Sequence, residues 1–394
     1  MSIGSRVRKI YERRPYPPPA RRGEIMKWPL PPMEWISAVA GSATTLDPAR
    51  VFVAGCGVGT EAFAIAQRLK DAEVVAADFS ERSIEVARKI QKRVPGGERI
   101  RFEVADLTSE SLSKSVGSNF DFISCNGVLS YIPDTETVAR NLARCLARDG
   151  VLIAGVNGTA HPSLRWRPIL RSYGIDANEF REGRPMRDVL RLCDSLSLYP
   201  PIQIAEEPAE YIASDVFGPI NQALPLEEWA SRFGRAGLHM VGQFHAFFAV
   251  RGPINRALHK VLMPRSRAEV AVLIDVLQPA SFHRIVLSRR RPARIPWNDS
   301  TRLLRSRPQV TPLYKPKWPV RRGRWSTLRA LPLKSTATLT AIDLNVPEWE
   351  IEILRRADGS RTVREILDGI TPRPTPRDLR ESLYLFYLLG VINL

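Results

Sequence analysis

The sequence lacks any apolar run near the roughly 20 residues that a membrane-crossing helix requires; "VLIAGV" and "VAVLI" are among the longest it has. That excludes a spanning helix and leaves no membrane partner to expect. The arginine-rich start is not followed by an apolar signal segment, and Glu12 and Glu24 interrupt the basic residues in a way that an organelle transit peptide normally avoids. Cysteine is scarce: Cys56, Cys125, Cys145 and Cys193 form no CxxC pair and show no ligand spacing with the five histidines. No metal site is expected, and free thiols point to a reducing, cytoplasmic setting.

With 394 residues, 44% of them hydrophobic and 25% charged, the composition is that of a globular protein able to bury a core. Single cores rarely grow past roughly 250 to 300 residues, so a large domain and a smaller one are expected. The net charge of +17 is unevenly placed. Residues 251–334 hold twenty Lys or Arg against three acids, Glu269, Asp275 and Asp299, an excess equal to that of the whole chain. A stretch of this kind suits an anionic partner or serves as a solubilising surface.

From residue 50 to 156 short apolar runs alternate with helical windows: "VFVAG", "EVVAAD", "IRFEVAD", "FDFISCNG" and "GVLIAGVNG" are separated by stretches of helical period. This alternation predicts βαβ units and a doubly wound parallel sheet. Residues 159–224 break the order and read as an insertion. "LPLEEWASRFGRAGL" restores a helix with Trp229 and Phe233 on one face and Gly237 at its end, followed by a strand in "HMVGQF" and a last strand near the sheet edge in "SFHRIVLSRR". Four parts are expected: an N-terminal arm or lid, 1–40; a Rossmann-like α/β domain, 41–292; a Pro/Arg/Trp-rich linker, 293–335; and a small α+β module, 336–394, whose three helices and final strand suggest a winged-helix-like shape.

In "VFVAGCGVGTEAF" a strand runs directly into Gly55, Gly57 and Gly59 and then a helix. The glycines allow a tight turn and close backbone approach to a ligand, and the helix N-terminus offers free N–H groups. Asp78 closes the next strand, at the spacing of an acid that receives ribose hydroxyls. Asp106 follows the third strand. The GxGxG spacing differs from the GxGxxG that seats a dinucleotide, so a nucleotide-like ligand other than NAD is favoured.

These residues resemble the class I S-adenosylmethionine-dependent methyltransferases over about residues 10 to 292. The resemblance implies S-adenosylmethionine as cofactor. It places the methionine end at Gly55, Cys56, Gly57 and Gly59, the ribose at Asp78, and the adenine near Asp106 with Phe79 and Leu107 as apolar flanks. "FDFISCNGVLSYIPD" is similar to the strand-four segment of the family, which puts Asn126, Gly127 and Val128 beside the methionine and the acceptor. Ser130 and Tyr131 stand where the family usually has a histidine pair, so no general base is evident, and Val53 replaces a frequent aspartate. "YERRPYP" resembles the N-terminal "YE-x-x-PYP" element of a bacterial subgroup that shares "VAGCG", which makes the arm a lid over the cofactor and Tyr16, with Tyr131, a candidate catalytic residue.

The expected activity is methyl transfer to an O or N acceptor, a small molecule or a protein. The competing expectation is a non-catalytic scaffold that engages nucleic acid or an acidic partner through residues 251–334. The two separate on salt: the scaffold reading requires measurable nucleic-acid affinity that falls steeply as salt rises from 50 to 200 mM, on the order of 10³-fold for six neutralised phosphates. Absent or salt-insensitive binding removes it.

Overall fold

The computed structural model describes residues 7–8, 11–13, 15–18, 25, 28, 30–31, 33–41, 47–172, 191, 195, 211–216, 218–243, 262–292, 294–311, 320–322, 325–329 and 343–394. The strands are β1 (Arg50–Ala54), β2 (Glu73–Asp78), β3 (Ile100–Val104), β4 (Phe120–Asn126), β5 (Leu146–Asn157), β6 (His239–Gln243) and β7 (Phe282–Ser288). They form a seven-stranded sheet in the order β3-β2-β1-β4-β5-β7-β6. This is the expected Rossmann-like doubly wound α/β architecture. Strand β7 lies near the sheet edge, as expected, one strand in from it: it sits between β5 and β6 and runs antiparallel to β6. A strand with neighbours on both sides must bury its interior, and Ile285, Val286 and Leu287 are all buried.

The parallel centre follows from the sequence. β1 is flanked by β2 and β4, pairing Val51 with Val74 and with Phe122, and its Val51 to Ala54 are buried on both faces because helices cover both. The helix Glu81–Gln91 begins at Ser80, whose hydroxyl accepts from Ser83 N, and Asp134 caps Thr135–Cys145 in the same way through Thr137 N. On the helix Leu226–Arg235, Trp229 and Phe233 stack with ring centroids 6.2 Å apart, and the Trp229 indole donates to the Asn157 carbonyl at 2.9 Å. Gly237 lies past the end of that helix at φ 81°.

The chain divides into two compact units. One comprises Met1–Trp28, Pro48–Leu238 and Gln278–Arg284; the other comprises Pro29–Asp47, His239–Leu277 and Ile285–Leu394. This division does not coincide with the expected boundary near residue 292.

In the second unit the expected C-terminal helices are present as Glu348–Arg356, Val363–Leu367 and Pro376–Leu388. Thr362 and Glu365 form a reciprocal capping box, and Thr375 caps the third helix ahead of Pro376. The final strand, Ile392–Asn393, pairs antiparallel with Gln309–Val310, so part of the stretch expected as a linker is built into this unit. A helix at Ser300–Arg305 lies in the same stretch, and Trp297 is only 2% exposed, packed edge-on to Tyr384 at 5.0 Å and against Tyr387 at 5.5 Å. Trp297 was the signal, a large apolar residue in a Pro/Arg-rich stretch with neither helical nor strand period. The strands Val320–Arg322, Trp325–Arg329 and Asp343–Pro347 form a three-stranded antiparallel sheet. Arg267 joins three segments of the unit: Nε donates to Tyr387 O at 2.8 Å, Nη1 to Ala38 O at 3.1 Å and Nη2 to Ile392 O at 3.1 Å, while the guanidinium lies 4.2 Å from the Tyr387 ring centroid.

Among the described residues no helix is long and apolar enough to cross a membrane. Trp297→Ala removes a buried aromatic and should cost about 3–5 kcal/mol of the second unit's stability. Thr362→Ala should cost about 1 kcal/mol. Urea denaturation followed by far-ultraviolet circular dichroism checks both, and equal losses for the two variants would contradict the packing described.

Candidate active site

The glycine turn is anchored to its neighbouring strand. Gly55 N and Cys56 N both donate to Ala77 O, at 2.8 and 3.0 Å, so the turn is held against β2 at the point where that strand ends. Gly55, Gly57 and Gly59 all have positive φ, at 73°, 52° and 86°. At Gly57 the reason is also steric: an added Cβ would stand 2.3 Å from Tyr16 O. The helix Thr60–Arg68 starts at Gly59 with no side chain capping its N-terminus, leaving that end free for an anionic or polar ligand group.

Asp78 sits at the carboxyl end of β2 and is 7% exposed. Its Oδ2 accepts from Gly57 N and its Oδ1 from Ser80 N, both at 2.9 Å. Burial pushes the carboxyl above its ordinary value and the two amides pull it back. Phe79, half-buried, meets the Tyr11 ring edge-on at 5.9 Å. Cys56 is buried, which pushes its thiol up and makes it an inert packing group.

Asp106 lies beyond β3, exposed, its Oδ1 accepting from Thr108 N at 2.8 Å and Thr108 Oγ1 at 2.7 Å. Leu107 is buried, and its carbonyl accepts from Asn141 Nδ2 at 2.9 Å. Asn126 ends β4 with a buried Oδ1 that has no hydrogen-bond partner, and Gly127 follows at φ 72° with nothing within 4 Å of where a Cβ would stand. The Oδ1 is packed over Gly155, where an added Cβ would meet it, so the open space lies at Gly127 and not at this oxygen.

The arm reaches the site along its described residues, 11–13 and 15–18. Glu12 Oε1 accepts from Glu81 N at 3.0 Å and Oε2 from Arg82 N at 3.3 Å, capping the helix that follows Asp78. The "YE" pair therefore has a mechanical role in seating the arm. Tyr16 lies against Tyr211, with ring centroids 6.5 Å apart. Arg14 and residues 19–24 lie outside the described residues.

Tyr131 is 5% exposed, and its hydroxyl accepts from Asn157 Nδ2 at 2.9 Å; burial holds the phenol well above its ordinary range, so it stays protonated. Ser130 is likewise enclosed, its Oγ accepting from Asn157 N at 2.7 Å. His161 is pushed down to about 4 by burial and the nearby Arg167. The neutral imidazole shares a hydrogen bond with Ser163 Oγ at 2.8 Å.

Two acidic residues escaped the sequence reading. Glu61, on the first turn of the helix after the glycines, is buried with Oε1 accepting from Ser124 Oγ at 2.6 Å; burial raises it, and Ser124, Arg284 and Asn126 counter this. Its place in "GVGTEAF" was the available signal. Asp215, within the expected insertion, comes beside Tyr131 and Tyr11. Nothing in "IASDVFG" marked it, since the contact spans more than 80 residues of chain.

The family described as a methyltransferase domain matches residues 52–152. Those residues hold the glycine turn, Asp78, Asp106 and Asn126. The match takes in about a quarter of the chain. Over 97 residues the chain is 37% identical to the release factor glutamine methyltransferase of Chlorobaculum tepidum, covering 25% of this chain and 32% of that protein. Over 126 residues it is 27% identical to the ubiquinone biosynthesis O-methyltransferase of Leptothrix cholodnii, covering 32% and 50%. The matched region thus spans a third to a half of these curated relatives. Among solved structures, PKMT2 from Rickettsia typhi in complex with AdoHcy superposes with a TM-score of 0.56 at 15% identity, covering 96% of this chain and 77% of that one. At that identity the likeness establishes the fold.

Gly57→Ala puts a Cβ against the Tyr16 carbonyl and should release the arm. Limited proteolysis should then cut near residues 11–18 at least several-fold faster than in wild type, while the circular dichroism spectrum is retained; unchanged cleavage would mean that the arm is not seated by this contact.

Proposed function

We propose that the chain transfers a methyl group from S-adenosylmethionine to an O or N acceptor, a small molecule or a protein. The observation that carries the reading is the glycine turn hydrogen-bonded to β2 beside a buried Asp78, inside the region matched by the methyltransferase-domain family. The AdoHcy bound by PKMT2 supports the choice of cofactor.

The residues fit such a group. Each Asp78 oxygen accepts one backbone N–H and keeps a lone pair for a ribose hydroxyl. Gly127, with open space where a Cβ would stand, leaves room for the methionine end of the cofactor. Phe79 and Leu107 supply apolar flanks and Asp106 an acceptor for an adenine amino group. When bound, S-adenosylmethionine supplies a methyl group on an already activated sulfonium. The protein is left to align the acceptor, exclude water and receive a proton. Tyr16 and Pro17 lie against Gly57 and Tyr11 on Phe79, and together would do the excluding; Tyr131 would border the acceptor side.

Isothermal calorimetry with S-adenosylmethionine and S-adenosylhomocysteine tests the cofactor assignment. Wild type should bind both, and Asp78→Ala should weaken binding at least tenfold, about 1.4 kcal/mol. No binding by wild type, or an unaltered Asp78→Ala, refutes it. Incubation of methyl-labelled cofactor with host lysate, with the label sorted into small-molecule, protein and nucleic-acid fractions, then assigns the acceptor class.

A further inference from the structure

We propose that Asp215 is the general base of this site, receiving the proton of the methyl acceptor from a seat between Tyr131 and Tyr11. The proposal rests on the methyltransferase reading above and supplies the proton acceptor that Ser130 and Tyr131 leave unassigned.

The seat is built by hydrogen bonds that converge from distant parts of the chain. Ser214 Oγ donates to Asp215 Oδ1 at 2.8 Å, and the carboxylate lies beside Tyr131, whose hydroxyl accepts from Asn157 Nδ2 at 2.9 Å. Asn157 Nδ2 also donates to Asn221 Oδ1 at 3.0 Å, and Asn221 Nδ2 donates back to the Asp215 carbonyl at 2.6 Å. Asn221 thus holds the backbone of Asp215 and Ser214 its side chain. Tyr11, the arm residue against Phe79, lies beside Ser214. Asp215 therefore lies next to the two tyrosines that connect the cofactor side, Tyr11, with the strand-four side, Tyr131. The residue as a whole is half-buried, on a π-helical turn, Ile212–Val216, of a kind that recurs at functional sites.

The charged and titratable neighbours are consistent with a base. Tyr131 and Tyr11 are held protonated by burial. His161, reached through Asn221, is neutral, and Arg167 spends its guanidinium on the Val216 and Gly218 carbonyls. Burial pushes Asp215 up to about 7, with Ser214 and Tyr131 pulling it down. A carboxylate near neutrality combines a useful charged fraction with real proton affinity. In the step, a lone pair of the acceptor O or N forms the bond to the methyl carbon as the carbon–sulfur bond breaks and its pair returns to sulfur. The acceptor's proton passes to an Asp215 carboxylate oxygen.

Asp215→Asn in the full-length chain is compared with wild type by S-adenosylhomocysteine calorimetry, by label transfer from S-adenosylmethionine into host lysate across pH 5–9, and by carbon-13 carboxyl titration. Expected are cofactor affinity within threefold of wild type, transfer lowered about 10²-fold or more, and loss of a carboxyl resonance titrating near 7. Wild-type transfer should fall as pH drops through that midpoint, and Tyr131→Phe, which removes a neighbouring hydroxyl that favours the charged carboxylate, should move the midpoint upward. Asp215→Asn with transfer within threefold of wild type, or with cofactor binding lost, overturns the assignment while leaving the methyltransferase reading standing. Should Asp215→Asn misfold, Asp215→Glu must retain transfer with a shifted pH profile, and a flat profile overturns the proposal. Wild type that binds no S-adenosylhomocysteine defeats the methyltransferase reading and this inference together.

Discussion

The clamp on Asp78 is the constraint from which the site is built. A carboxylate buried at the end of a parallel strand is costly unless amides compensate it, and here one amide comes from the glycine turn after β1 and the other from the start of the next helix. The turn cannot move without stranding the carboxylate. Because Gly57 donates this bond with its Cα turned to the Tyr16 carbonyl, the same clamp also fixes where the arm crosses. Strand, turn, helix start and arm are thus coupled through a single side chain.

The arm gains its position from caps more than from apolar packing. Glu12 satisfies two amides at the N-terminus of Glu81–Gln91, the helix that begins three residues after Asp78, and Tyr11 places its ring on Phe79. Carboxylates at helix N-termini contribute modestly, about 0.3–1 kcal/mol at exposed sites. An arm held by contacts of that size can be seated and released at a cost compatible with ligand entry. The tyrosines it carries meet Tyr211 and Ser214, from the segment that a sequence reading treats only as an insertion.

The second unit is organised on a different principle. Arg267 donates to three separate carbonyls and lies on the Tyr387 ring, and Trp297 fills the space beside Tyr384. These contacts draw the helix Met33–Ala40, the C-terminal strand and the proline-rich stretch into one body. Composition alone made that stretch a linker, since its anchors are single residues separated by irregular backbone.

The residues themselves determined the alternation of strand and helix from 50 to 156, the turn at Gly55, Gly57 and Gly59, the acid at Asp78 and the caps of the C-terminal helices, because each depends on neighbours within a few positions or on a simple period. Tertiary structure alone decided that β7 enters between β5 and β6, that Gln309–Val310 pairs with the chain end, and that Asp215 meets Tyr131 and Tyr11. Those outcomes depend on pairings across tens to hundreds of residues, where no local propensity distinguishes one partner from another. The charge state of Asp215 belongs with them: an aspartate in "IASDVFG" is an ordinary acid until the fold withdraws water from it.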